Sequence, residues 1–436
     1  MHTVISQRNR QKVTNEIRLF FSRLIYPVLV LCGFCIALPP FFKSISIFLL
    51  VLTLALSGEL FCLKVSLKRI LYWKNPLLYL VLLYLFYVLS LLWSENKAYG
   101  LDDLQIKLPL FLLPLLVYFL PKRILTRKKM WHCFAAFVFG LLIVECACLA
   151  EGLTQAVKGG GFDAKEIFYT RLANDNHVAY LALYNCFALI FLYIMPVKRL
   201  FGQNAVKWNV FKKAAFVFLN VFLVLLNSRI GTAVMIFVNF MMIVDSLFLR
   251  KRYIKSVGLS ANIILLVVLV VIANGLIHRY SAIGEKLNAK TESGEQITDS
   301  VSQRNFLYGS LPFLLLESPV IGFGVGDVRD EIENLYNEQG VDFGRYLNAH
   351  NQFLQTAVAT GFTGLFILLF VFLCFAFNWW RKDCLMLLSV LCVFGMFMMT
   401  ESVLERQAGT HFMAFAFCWL AFFIPQKNKK KEEKQN

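Results

Sequence analysis

Charge is scarce in this chain. Only 16% of its 436 residues are Asp, Glu, Lys or Arg, whereas soluble domains carry about a quarter. That argues against a soluble enzyme built on one large core. Walker A, HExxH and GxSxG sequences are lacking, as is any carboxylate-rich metal cluster. The stretch GFGVGD at 322–327 is G-x-G-x-G rather than the dinucleotide G-x-G-x-x-G, and no strand pattern precedes it. It reads as a flexible turn. The 11 cysteines show no paired C-x-x-C spacing, lie almost all in apolar runs and avoid 278–351. They read as small apolar core residues, not zinc ligands or a disulfide framework. No internal repeat is visible. No cleavable signal peptide is expected, because the first 18 residues are polar and no small-residue cleavage site follows the first apolar run.

What the chain has instead is apolar side chain, 58% of residues, with 43 Phe. Twelve apolar runs stand out, at 24–38, 44–63, 76–93, 108–120, 131–152, 177–196, 214–228, 231–249, 257–277, 352–378, 385–400 and 411–424. The pattern predicts an all-α polytopic membrane protein with twelve transmembrane helices. Several runs fall short of the roughly 20 residues that cross a bilayer upright. The short run 108–120 can extend back into DDLQIK, since a helix buried in a bundle tolerates polar residues.

A net charge of +17 would point a soluble protein toward nucleic acid. Here its position along the chain gives another account. The connections on one side carry 30 Lys and Arg, and those on the other carry 14. The richer set comprises both tails and the loops 64–75, 121–130, 197–213, 250–256 and 379–384. By the positive-inside rule it is cytoplasmic, with both termini. The chain then reads as a single integral domain, 1–436. One long periplasmic loop, 278–351, is inserted between the ninth and tenth spans. Within it, SVSQRNFLYGSLPFLLLESPV (300–320) is amphipathic and predicts a helix on or under the membrane surface, ended by Pro319. VRDEIENLYNEQG predicts a second short helix ending at Gly340. The C-terminal KNKKKEEKQN reads as a solvated tail.

Polar residues gather at the outer ends of the runs. NSRIGT puts Ser228 and Arg229 in the tight turn between runs seven and eight. An arginine at that depth is either functional or an interfacial anchor with a snorkelling side chain. FYTRLANDNHVAY brings Arg171 and His177 to the mouth of run six. Lys107 stands at the outer mouth of run four. SVSQRNFLYG places Arg304 on the amphipathic helix. TESVLERQAGTH offers Glu401, Glu405 and Arg406, for which a local ion pair is the plain alternative. NAHNQFLQTAVATGFTGL opens an apolar run with Asn348, His350, Asn351, Gln352, Gln355 and Thr356. Arginine's planar fork suits phosphate oxygens, and a histidine can take a proton from a hydroxyl. Arginines plus a base at the outer mouth of a lipid-facing bundle point to transfer from a lipid-linked phosphate donor to a hydroxyl. A transporter or flippase is the reading from another class, but it places charges near the midplane in paired halves.

NSRIGT, SQRNFLYGS…ESPVIGFGVG and NAHNQFLQTAVATGFTGL, in that order and ahead of a late outer loop end, resemble the O-antigen ligase and O-antigen polymerase superfamily of bacterial inner membranes. The resemblance covers the C-terminal half by motif and the N-terminal half by topology. It implies a GT-C-like, metal-independent glycosyltransferase with no cofactor. Its donor would be a glycan on undecaprenyl diphosphate. Its acceptor would be lipid A–core for a ligase, the lipid-linked glycan for a polymerase, and Ser or Thr of a protein for a third relative. Arg229 and Arg304 would bind the diphosphate, and His350 would act as or position the base. Asn351 and Gln355 would contact the glycan or support His350. Ser228, Arg171, His177, Lys107, Glu401 and Arg406 complete the candidate substrate-binding set. Two departures stand out. Leu307 and Tyr308 occupy a region where Trp is common, and NDNHVAY replaces a more usual His-Pro at run six.

Overall fold

The computed structural model describes residues 2–61, 75–158, 162–173, 176–246, 300–341, 343, 346–380 and 385–422. The helices are α1 His2–Cys35, α2 Pro40–Leu56, α3 Pro76–Ser90, α4 Lys97–Lys107, α5 Pro109–Phe119, α6 Arg127–Val157, α7 Tyr169–Ala173 and α8 Val178–Ile194. They continue as α9 Val197–Phe201, α10 Ala205–Leu226, α11 Arg229–Val244, α12 Ser300–Glu317, α13 Val328–Glu338, α14 Gln352–Trp380, α15 Leu385–Met398 and α16 Gln407–Ala421. No strand occurs among the described residues. Eleven of the twelve apolar runs fall on helices. Run 257–277, with most of the loop up to 299, lies outside the described residues.

Local sequence sets many of the helix starts. Asn75 accepts from Leu77 N at 3.2 Å with Pro76 following as the first helical residue. Asn96 caps α4 through Tyr99 N, and Ser228 caps α11 through Gly231 N, each at 3.2 Å. Such caps satisfy amides that no helical carbonyl reaches. Run 108–120 does not extend back through DDLQIK as one helix. The chain makes two helices, α4 and α5, with Pro109 opening the second, because a proline donates no N–H and is tolerated at the first turn.

Every residue of α8 from Val178 to Leu192 is buried. A helix apolar all round must be enclosed by others, and α8 packs against α6, α10, α11 and α15. The aromatic centre beside it joins Phe134 and Phe137 of α6, Phe187 and Phe191 of α8, and Phe412 and Trp419 of α16. The outward surfaces are also apolar, with Phe41 68%, Phe366 65% and Leu373 59% exposed. Exposure of large apolar groups on this scale marks a surface that faces something other than water. Among the described residues, four segments are long and apolar enough to cross a membrane: Thr14–Cys35, Arg127–Val157, Val197–Leu226 and Gln352–Trp379. Five further apolar helices are shorter. Among the described cysteines, Cys146 and Cys392 are exposed and the others buried.

The stretch GFGVGD is not a flexible turn. Run 352–378 is interrupted at Gly361, where φ is 64° and ψ −170°. The break frees two carbonyls and two amides of α14, and the segment after α12 takes up all four. Phe323 N and Gly324 N donate to Val358 O and Ala359 O at 3.0 and 2.9 Å. Phe362 N and Thr363 N donate to Pro319 O and Val320 O at 2.7 and 3.3 Å. The far end of the segment is fixed on α3 and the turn after it, through Val325 N to Ser90 Oγ, Gly326 N to Ser94 Oγ, and Asp327 to the amides of Glu95 and Asn96. A side chain would not fit here. A Cβ on Gly322 would stand 2.5 Å from the backbone nitrogens of Thr360 and Gly361. Non-helical backbone inside an apolar bundle is stable only when its polar groups are paired in this way. The two short helices of the loop do form. α12 ends at Glu317, just before Pro319, and α13 ends before Gly340, whose φ is +72°.

Candidate active site

His350 stands in the loop that leads into α14. Its φ is +45°, a left-handed backbone that side chains other than glycine rarely adopt. Its neighbours hold it there. Asn348 Oδ1 accepts from His350 N at 3.0 Å, and Tyr308 OH donates to His350 O at 2.8 Å. Asn351 caps α14, its Oδ1 accepting from Phe353 N and Leu354 N at 2.9 and 3.2 Å. Gln355 is 1% exposed, and its Oε1 accepts from Ala349 N at 2.9 Å. The structure therefore uses Asn351 and Gln355 to brace the histidine loop. Gln352 ties that loop to the turn before α16, accepting from Leu404 N at 2.6 Å.

Across from this loop, Arg304 on α12 and Glu401 after α15 form an ion pair, Nη2 to Oε1 2.9 Å. The second carboxylate oxygen of Glu401 lies 4.0 Å from His350 Nδ1. Burial raises the Glu401 pKa, and Arg304 and Arg406 oppose it. His177 lies just before α8, outside the helix, with its ring 5.1 Å from that of Tyr180. His177 is exposed by area, yet desolvation by its surroundings, together with the charges of Arg406 and Arg304, lowers its pKa to about 4, so the imidazole is neutral at pH 7. His177, Arg304, Glu401, Arg406 and His350 thus come together near the N-terminal end of the buried α8, linked by ion pairing and by the charges acting on His177 and Glu401. Tyr180 joins that end of α8 to the Glu401 turn, its OH reaching Ser402 O at 3.4 Å.

Among the described residues, Arg304 Nε, Tyr346 OH, Gln355 Nε2 and Ser402 Oγ are buried without a hydrogen-bond partner, whereas buried polar groups are normally paired.

The remaining candidates have local roles in the fold. Ser228 is the cap of α11, and Arg229 is its first residue. Gly231 packs against Ala182 of α8, two residues along from Tyr180. Arg406 is exposed and begins α16, its carbonyl accepting from Gly409 N and Thr410 N. Arg171 is paired within its own loop, with Glu166 in direct contact and Asp163 at 3.9 Å. Lys107 is 1% exposed and held by Asp103 at 2.5 Å and Glu405 at 2.8 Å. Burial works against its charge, but the two carboxylates outweigh it and leave its pKa raised. Lys107 is thus the centre of a buried ion triad. Sequence reasoning noted Tyr308 only as a departure from the family pattern and gave it no site role, although it lies four residues after Arg304 and hence on the same helical face.

The fold and its apolar surface define an all-α membrane protein. Residues 214–369 match the family described as O-antigen ligase. Arg229, Arg304 and His350 lie inside the matched stretch, which resembles that family over the C-terminal part of the chain. No curated protein matches the chain.

Proposed function

We propose that the protein is an O-antigen ligase-type glycosyltransferase. It moves a glycan from undecaprenyl diphosphate to a sugar hydroxyl of lipid A–core. The observation that carries this reading is the placement of Arg304 and His350 on either side of Glu401, 2.9 and 4.0 Å from its two carboxylate oxygens. In the reaction the acceptor hydroxyl attacks the anomeric carbon of the donor glycan. The new C–O bond forms as the bond from that carbon to the diphosphate oxygen breaks. With Nδ1–H turned toward Glu401, the free lone pair of His350 is on Nε2, where it accepts the hydroxyl proton. Arg304 and Arg229 offset the charge that develops on the departing diphosphate, so a metal ion is not required. The bundle is GT-C-like with twelve spans, lies in the bacterial inner membrane and has cytoplasmic termini. The site then opens to the periplasm at the end of the 278–351 loop.

The test is transfer in proteoliposomes from a defined undecaprenyl-diphosphate-linked glycan. Lipid A–core and a second lipid-linked glycan are offered side by side. The ligase reading expects glycan on lipid A–core, insensitive to EDTA and abolished by Arg229→Ala or His350→Ala at equal protein level. Extension of the lipid-linked glycan would make the protein a polymerase. Normal transfer by both variants would overturn the site.

A further inference from the structure

Tyr308 holds together the pieces on which that reading rests. It lies one turn beyond Arg304 on α12, so both face the same way. Its hydroxyl oxygen is 2.8 Å from His350 O and 3.0 Å from Met399 O. A phenol has a single proton to donate, so the two carbonyls share it. Met399 is two residues before Glu401, and Glu401 N is itself fixed to Phe397 O at 2.9 Å. The circuit closes through Glu401, which reaches back to Arg304 at 2.9 Å. One residue thus binds the backbone of the histidine and the backbone that carries its carboxylate neighbour, from the helix that carries the arginine. His350 needs such a restraint, because its left-handed φ of +45° is disfavoured and would relax if released. Asn348 restrains the amide side of His350, and Tyr308 restrains the carbonyl side. Burial, aided by Glu401 and opposed by Arg304, raises the phenol pKa above its ordinary value. The donor proton therefore stays in place at any working pH.

We propose that Tyr308 is a positioning residue for glycan transfer, holding His350 and Glu401 at their working separation without touching substrate. The proposal rests on His350 as the base. Tyr308→Phe keeps the ring and removes only the shared donor. Its expected signature is a kcat lower by about 10- to 100-fold, with KM for donor and acceptor within about twofold. The melting temperature should stay at the wild-type value. Because the effect passes through His350, adding Tyr308→Phe to His350→Ala should change the residual rate no further. If His350→Ala is inactive while Tyr308→Phe keeps wild-type kcat, the positioning role is wrong. A rise in KM alone would make Tyr308 a substrate contact, and a loss of kcat that tracks a loss of melting temperature would make it merely structural. Full activity of His350→Ala would instead overturn the reading of the site itself. Should Tyr308→Phe fail to accumulate, Asn348→Ala releases the other side of His350 and is expected to give the same fall in kcat at unchanged KM. Unchanged kcat there would equally overturn the need for restraint.

Discussion

Arg304 and Glu401 lie 97 positions apart in sequence and meet as a 2.9 Å ion pair. The pair uses one oxygen of the carboxylate and leaves the other 4.0 Å from His350 Nδ1. A single carboxylate therefore orients a cation suited to phosphate and faces a ring suited to accept a proton. In the proposed reaction, the charge of Glu401 would stabilise the imidazolium formed as His350 takes that proton. Glu401→Gln keeps the shape and removes the charge. The expected outcome is a fall in kcat of about 10²-fold with unchanged protein level in the membrane. Transfer at the wild-type rate would remove Glu401 from the machinery.

The docking of Pro319–Gly324 into the broken α14 fixes the helix that begins just after His350. Gly322 has φ +68° and no room for a methyl group against Thr360 and Gly361. Gly322→Ala should therefore destabilise the protein by about 2 kcal/mol or more and reduce transfer as well. A melting curve in detergent measures the first and the transfer assay the second. An unshifted melting temperature would mean that the segment is not fastened as described.

Much of this was legible along the chain. Apolar run lengths found the helices, because burial of apolar surface needs only local pattern to be read. The amides around His350 marked a loop that they brace, since polar residues opening an apolar helix are costly without a role. Partnerships across long separations were not legible. The sequence shows a charge at Lys107 but not that Glu405, 298 positions away, would enclose it. TGFTG sits within a continuous apolar run and reads as uninterrupted helix. The groups that satisfy its break lie about 40 residues earlier, in a stretch whose glycines resemble an ordinary turn.

The triad around Lys107 predicts a pH dependence. Burial first, and then the Glu405 charge, push the Asp103 carboxyl from 3.8 up to about 7, against the pull of Lys107. The folded state therefore binds this proton more tightly than the unfolded chain. The resulting stability is full below about pH 4 and is lost as pH rises through about 7. Asp103→Asn removes the titration and keeps an oxygen for Lys107. The melting temperature of the wild type, relative to this variant, should decline between pH 5 and about 7.5 and level off above. A difference that grows with pH would show the carboxylate to be held in its charged form.

Glu145 of α6 and Asn185 of α8 are both wholly buried, and Asn185 Nδ2 donates to Glu145 Oε1 in direct contact. Glu145 Oε2 and Asn185 Oδ1 have no partner among the described residues. Two acceptors thus lack a donor in an apolar interior, where an unpaired polar group is expensive. Glutamine at position 145 supplies one, since its amide can donate to Asn185 Oδ1 while its carbonyl accepts from Nδ2. Glu145→Gln is therefore expected to melt at or above the wild-type temperature. Glu145→Ala leaves the Asn185 amide without its partner and should cost about 1–3 kcal/mol. Melting curves of the two variants, in one detergent at one pH, decide the matter. If glutamine proves as damaging as alanine, the contact depends on the carboxylate charge and not on the count of donors and acceptors.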